Sequence, residues 1–557
     1  MFRTETSHFT PCLPFFNNLS HWSFSGFTWT VLLFGLYLFV SGPDLWAKEG
    51  PKYGYDVSYY ELDIDFNLDR KSIQGEVVMH FTALADLKVV QMDLYKNLKM
   101  DSAFLDSSSL NFERQKNVIV IQLKEELKKG EQAVIRVNYH GVPRESQFAP
   151  WEGGFVWRND VDGYPWLGVA CQTFGASVWW PVKDDLADEP DSMLLQFTIP
   201  LGLVCLSNGK LQERRVQGSR QTFVWKTLYP MNVYNVTFDI GAYQHFSLPY
   251  GEKDSGKKLD FFLLKEHLPY GMKHFHQTLP MMEFLEKTYG EYPWWEEGFK
   301  LIVSPYHGME HQTAISYGNG FQNLSGFSFD DIILHEAAHE WWGNSITVGD
   351  FKDVWLQEGM ATYAEALYAE EIGGYKNYLK YIKYLKERIT NQKPVSDPIP
   401  QGSIGIRTDV YVKGAILMHS FRLSLDNDEL FFDILRSFYA ERRNSITSTA
   451  DFIELVNRKT AKDYTEFFSQ YLDKTRVPMI KWYAVKGPEK TDFYYQLNSK
   501  SETLELPFQI QTPKGRLTLH ASREIKVHTM SKGSKPKFPR VNAYVRMIKS
   551  NQLKPKG

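Results

Sequence analysis

Two histidines four residues apart, His335 and His339, bracket Glu336 in the order H-E-A-A-H, and a second glutamate, Glu358, follows after eighteen more residues. On an α-helix a spacing of four is about 6 Å of rise and just over one turn, so the two imidazoles share a face and converge on one ion. Glu336, one step round from His335, then stands beside that ion and not on it. Imidazole and carboxylate both suit zinc, and His335, His339 and Glu358 as three protein ligands leave a fourth position for water. Zinc lowers the pKa of bound water from about 15.7 toward about 7 and polarises a carbonyl, while Glu336 takes the water's proton and delivers it to a leaving amine. The five residues alone fit an ordinary exposed helix just as well. Their surroundings decide between the two.

Both halves of the set carry helix signals. Ser328 with Asp331 three residues later reads as a capping box, Asp330 and Asp331 favour the positive helix start, and Gly343 ends the run after Trp342. A second helix is expected from near Asp353 to Gly373 and Gly374, with residues 344–353 as the reversal that returns Glu358 to the histidines.

With those residues in place, HEAAHEWWGN (335–344) followed by WLQEGMATY (355–363) resembles the aminopeptidase N-like zinc metallopeptidases, a branch of the gluzincins. The resemblance runs from about residue 55 to about residue 480. It implies a mainly helical, thermolysin-like catalytic domain, one zinc per chain, and peptide substrates with a free amino terminus. Gln172, ahead of the triplet Asp188-Glu189-Pro190, matches the family's position for a residue that reaches the substrate amine. By itself the stretch 169–191 reads as a folded corner packed around Trp179 and Trp180. Residues His307-Gly308-Met309-Glu310-His311 stand in the family's G-A-M-E-N motif, keeping Met309 and the amine-binding Glu310 but replacing the first Gly, the Ala and the Asn. His307 and His311 are not expected as further ligands, because a catalytic zinc with three ligands needs an open position. Tyr411, which alone reads as core packing, lies in the family's Y-x-K-G-A context and is implied to stabilise the oxyanion. Two rivals remain: a zinc endopeptidase with the same metal set, and a zinc-stabilised peptide-binding protein without turnover. Binding alone needs neither Glu336 nor Tyr411.

The rest of the chain bounds this reading. Its 557 residues suggest about three to four domains, and 43% hydrophobic with 15% aromatic residues supplies large cores. A formal net charge of -3 offers no electrostatic reason to expect nucleic acid or an anionic membrane as partner. Val31 to Val40 is an uninterrupted apolar run with a small-residue cut after Ala47, so residues 1–47 read as an export signal and the protein as periplasmic or secreted. The run is short of the roughly 20 residues of a membrane span, so no stable span is expected after removal; an amino-terminal anchor is the alternative. Cys12 would leave with the signal, and Cys171 and Cys205 either pair or stay as two buried thiols. Residues 51–244 alternate with period two and are expected as an antiparallel β domain, with strands around Tyr60–Leu68, Val77–Phe81 and Val118–Leu123. Residues 245–475 are expected as the catalytic domain, with one helix over His267–Tyr289 and a strand over Phe299–Val303. Residues 476–557 form a small carboxy-terminal β domain. The fold class is α+β, multidomain.

Overall fold

Period-two alternation in the first third of the chain becomes sheet in the computed structural model, which describes residues 53–555. Tyr60, Leu62, Ile64 and Phe66 of the strand Tyr55–Asn67 are fully buried, while Glu61, Asp63 and Asp65 face the other way. The strand lies inside a ten-stranded sheet, with Leu62 opposite Val77 of the antiparallel neighbour Ser72–Ala83. On its other side it runs parallel to Ser192–Pro200, with Leu62 opposite Leu195. That pair corrects the antiparallel expectation. Alternation looks alike in both ladder types, and a long excursion between two strands is what a parallel pair requires. A four-stranded sheet of Gly154–Asn159, Pro165–Ala170, Val204–Ser207 and Phe238–Gly241 shares one hydrophobic cluster with the larger sheet. Phe238 sits between Phe66 and Phe155 there, with ring centroids 4.7 and 4.8 Å away. Trp179 and Trp180 are buried in the same cluster.

From Gln244 onward the elements alternate differently. A five-stranded sheet has the order Gln244–Pro249, Lys258–Leu263, Phe299–Val303, Ile315–Tyr317, Gly308–Met309, so Gly308–Met309 is an edge strand. Eight α-helices follow or flank it: α1 (Leu268–Phe275), α2 (Thr278–Tyr289), α3 (Asp331–Ala338), α4 (Trp355–Lys386), α5 (Thr408–Leu425), α6 (Asp428–Arg442), α7 (Thr449–Thr460) and α8 (Thr465–Leu472). The single helix expected over 267–289 is two. Pro280 cannot donate an intrahelical bond and belongs in a first turn, so it forces a new start at Thr278.

Four strands between Met479 and Lys549 form a small sheet, and Leu506–Thr512 pairs with Gly515–Ala521 as a hairpin. Ile480, Phe493 and Phe508 from this end share one hydrophobic cluster with Ile416 of α5 and Phe468 of α8. The molecule is thus α+β, with a β-rich first part and a helical centre. Cys171 and Cys205 are free and buried, which resolves their two alternatives in favour of thiols. The expected export signal, residues 1–47 with Cys12, lies outside the described residues. Among those that are described, no helix is long and apolar enough to cross a membrane.

Candidate active site

Helix α3 carries both histidines, and its start differs from the capping box expected at Ser328. Asp330 is the N-cap, its Oδ1 accepting from the Ile332 amide at 3.0 Å. Asp330 also accepts from the Tyr317 hydroxyl at 2.7 Å and from Asn319 at 2.8 Å, and sits 2.8 Å from His274 Nε2. This tertiary net outcompetes a serine two positions upstream. His339 is the C-cap, and Gly343, at φ 138°, turns the chain so that the Asn344 amide bonds the His339 carbonyl at 2.9 Å. A 3-10 turn over Phe351–Asp353 then leads into α4. Gly374, at φ 67°, breaks that helix where its end was expected, but a further helical stretch continues it to Lys386.

The reversal brings three ligand atoms together. His335 Nε2 and His339 Nε2 are 3.1 Å apart, and Glu358 Oε2 lies 3.4 and 3.3 Å from them. Zinc bonds of about 2.0–2.1 Å at tetrahedral angles put neighbouring ligand atoms about 3.3 Å apart, so the donor set fits zinc in both chemistry and span. The other nitrogens are committed: His335 Nδ1 is 2.7 Å from Glu365 Oε1, and His339 Nδ1 donates to the Trp342 carbonyl at 2.8 Å. Both bonds fix the ring orientation that presents Nε2 to an ion. Against the cost of burial, the two histidines hold the Glu358 carboxyl well below the usual carboxylate range. Glu336 lines the same cavity without joining the triad. Burial pushes its carboxyl up to about 8, with Glu310 and Glu358 adding to the rise against the pull of the histidines.

Two glycines let α5 reach this cluster. A Cβ on Gly359 would come within 2.9 Å of the Gly414 Cα, so only glycine lets α4 and α5 touch there. That approach places Tyr411, in the first turns of α5, with its ring 6.0 Å from the His335 ring and near-parallel to it. Burial, then Glu358, Glu310 and Glu336, push the Tyr411 phenol far up, so it stays a hydrogen-bond donor.

The edge strand supplies the fourth side. Gln172 Nε2 donates to Glu310 Oε1 at 2.9 Å and to Glu358 Oε1 at 2.8 Å, tying the expected amine-binding pair to the triad. Tyr234 donates to the same Glu310 oxygen at 3.2 Å. The Gln172 amide hydrogens are thereby used, and Glu310 Oε2 and Gln172 Oε1 remain as acceptors. At Gly308 a Cβ would meet Glu336 Oε1 at 2.6 Å and the Ile332 side chain at 2.9 Å, which accounts for glycine where the family motif has alanine. His311 is buried 3.1 Å from Ser316 Oγ, and His307 lines the cavity beside Trp151. Neither belongs to a metal-ligating group among the described residues.

All seven residues singled out from the sequence line one cavity of about 280 Å³. Three functional neighbours were missed. Glu365 had a readable signal, since it follows Glu358 by seven residues and so shares its helix face. Tyr234 and Trp151 had none, because only the tertiary fold brings them here.

Residues 274–471 match the Peptidase family M1 domain. The chain is 22% identical over 483 residues to an aminopeptidase N of Lactococcus lactis, covering 80% of this chain and 55% of that protein. It is 23% identical over 341 residues to a leukotriene A-4 hydrolase of Xenopus laevis, covering 57% of this chain and 53% of that protein. The chain thus spans about half the length of these curated relatives. Among solved structures, an M1 zinc metallopeptidase from Deinococcus radiodurans matches with a TM-score of 0.64 at 20% identity, over 76% of this chain and 95% of that one. A mutant of that protein, bound to a Tyr-Ser-Ala substrate, matches with the same TM-score of 0.64. The likeness establishes the shared fold.

Proposed function

From a chain that belongs with the aminopeptidase N-like gluzincins through its family M1 domain, we infer a zinc aminopeptidase that releases single residues from the amino end of peptides. The observation that carries it is the pair of Gln172 bonds, which link an amine-binding carboxylate, Glu310, to the metal-ligand carboxylate, Glu358.

His335, His339 and Glu358 hold the zinc, which when bound supplies Lewis acidity toward water and the scissile carbonyl. Glu336, buried and beside the ligands, accepts the proton of the attacking water and returns it to the leaving amine. Tyr411 donates its hydroxyl proton toward the oxygen on which charge develops. Glu310 Oε2 and Gln172 Oε1 receive the substrate ammonium, so the first peptide bond, and not a later one, lies over the histidines. The edge strand Gly308–Met309 offers its unpaired backbone side to an extended peptide, as sheet edges do.

Mass spectrometry of the products from a mixed peptide pool tests this. Stepwise loss of single amino-terminal residues is the expected result. Internal cuts would replace the reading with an endopeptidase, and no cuts with a peptide-binding protein. Export belongs to the same proposal and is supported by the apolar run before Ala47; a mature amino terminus near Lys48 would bear it out.

A further inference from the structure

The charges lining the catalytic cavity are unequal in number and in partnership. Five carboxylates, Glu310, Asp331, Glu336, Glu358 and Glu365, face a single guanidinium, Arg388. It lies just beyond the end of α4, and Tyr381, Tyr384 and Arg388 recur at steps of three and four, so they line the cavity in a row. Arg388 Nη1 donates to the Tyr384 carbonyl at 2.9 Å, and the guanidinium carbon stands 3.4 Å over the Tyr384 ring. That stacking orients the planar fork, and the side chain is exposed. Its neighbour Glu387 is engaged with Lys383 at 3.2 Å, and no carboxylate among the described residues pairs with Arg388.

Arg388 and the amine-binding pair line the same cavity, and each is linked to His335 through a different neighbour. Glu358, bonded to Gln172, meets that ring at Nε2, whereas Glu365 meets it at Nδ1. Glu365 is in turn bonded by the Tyr381 hydroxyl, one turn before Tyr384. Glu310, the two histidines, Tyr381 and Arg388 thus line one continuous cavity, in which Arg388 is the one guanidinium available to a peptide held at Glu310. A free peptide ends in a carboxylate, which is the planar anion a guanidinium fork takes bidentately. The cavity, about 280 Å³, is just below the roughly 300–1,000 Å³ of typical ligand pockets, so the part of a peptide held against its walls is short.

We propose that Arg388 anchors the terminal carboxylate of short peptides, so that the preferred substrates are di- and tripeptides with both ends free. The proposal rests on the aminopeptidase reading and narrows its substrate class. Arg388 is exposed, and a carboxylate paired with an exposed guanidinium is worth about a factor of two to five.

The test compares kcat/KM of the zinc-loaded enzyme on Ala-Ala and Ala-Ala-Ala with that on their carboxy-terminal amides. Wild type should favour the free acids about two- to fivefold, mainly through KM. Arg388→Ala should bring the acid-to-amide ratio close to one, and Arg388→Lys should recover part of it. The ratio is taken within each variant, so a change in the amount of folded protein cancels. Equal rates on acid and amide in wild type, a ratio unchanged by Arg388→Ala, or a preference for an acidic second side chain that survives amidation would overturn the anchor while leaving the aminopeptidase intact. Hydrolysis of neither acid nor amide by folded, zinc-bearing enzyme would remove the aminopeptidase reading, and the anchor with it.

Discussion

Two buried charge clusters in this protein are built on opposite rules. In the corner after Trp180, Lys183 meets Asp188 at 2.5 Å and the Tyr55 carbonyl at 2.5 Å, and Asp188 also accepts from the Val57 amide at 3.2 Å. The charges there are opposite, and the lysine nitrogen lies 5.1 Å from the Tyr55 ring. Around α3, in contrast, Glu310, Glu336 and Glu358 crowd together, and the pKa of Glu336 is displaced far upward. The first cluster balances itself and ties a loop to a sheet. The second balances only with a bound cation and a bound ammonium, which is the mark of a site and not of a fold device. Removing a charge should therefore cost stability in one and turnover in the other.

The largest separation is expected from Glu336→Gln. It should lower kcat by about 10⁴, the upper end for general acid–base groups, with zinc content and unfolding midpoint unchanged. Loss of zinc from that variant while folded would make Glu336 a ligand and redraw the site. Next, Lys183→Met strands Asp188 and should cost about 3–5 kcal/mol of stability, with kcat per folded molecule kept. Denaturant unfolding followed by kinetics on the folded fraction checks both. Burial already raises Asp188 from 3.8 to about 6 even beside Lys183. An acid raised in the folded state holds its proton more tightly there, so its contribution is full below the ordinary value and is lost as pH climbs through the raised one. The penalty of Lys183→Met should accordingly be smallest below pH about 4 and grow toward pH 8. A penalty independent of pH would mean that Asp188 is not the stranded partner.

Smaller losses should follow for donors and acceptors around the reacting bond. Tyr411→Phe should cost about 10² to 10³ in kcat with stability intact. A near-normal rate would return Tyr411 to a packing role. Glu310→Ala should cost about 10² in kcat/KM, and Gln172→Ala less, because the amide is neutral. Peptides acetylated at the amino end should be poor substrates for wild type. Acetylated and free peptides cleaved equally well would erase the distinction drawn for Glu310.

The contrast also explains what could be read from residues alone. His335, His339 and Glu358 were legible because helical period and a glycine-marked reversal translate directly into a shared focus. Tyr60 to Phe66 were legible as strand by alternation, yet the parallel partner of that strand was not, since register and direction depend on distant residues. The helix start was misassigned to Ser328 because the partners that fix Asp330, His274, Tyr317 and Asn319, come from other elements. Tyr234 carries no local pattern at all. It reaches Glu310 through the packing of the first β-rich part, which no spacing announces.

The zinc content of the purified chain and of Glu358→Gln decides whether the crowded carboxylates and histidines form a cation site. About one zinc per wild-type chain is expected and, after dialysis against a chelator that buffers free zinc between the two affinities, less than a tenth of that in the folded variant, since second-sphere losses alone run at about 10–100-fold in affinity and loss of a ligand should exceed them. Wild-type protein that is folded and hydrolyses peptides with no bound metal, or a Glu358→Gln variant that keeps its full zinc, would contradict a cation site there.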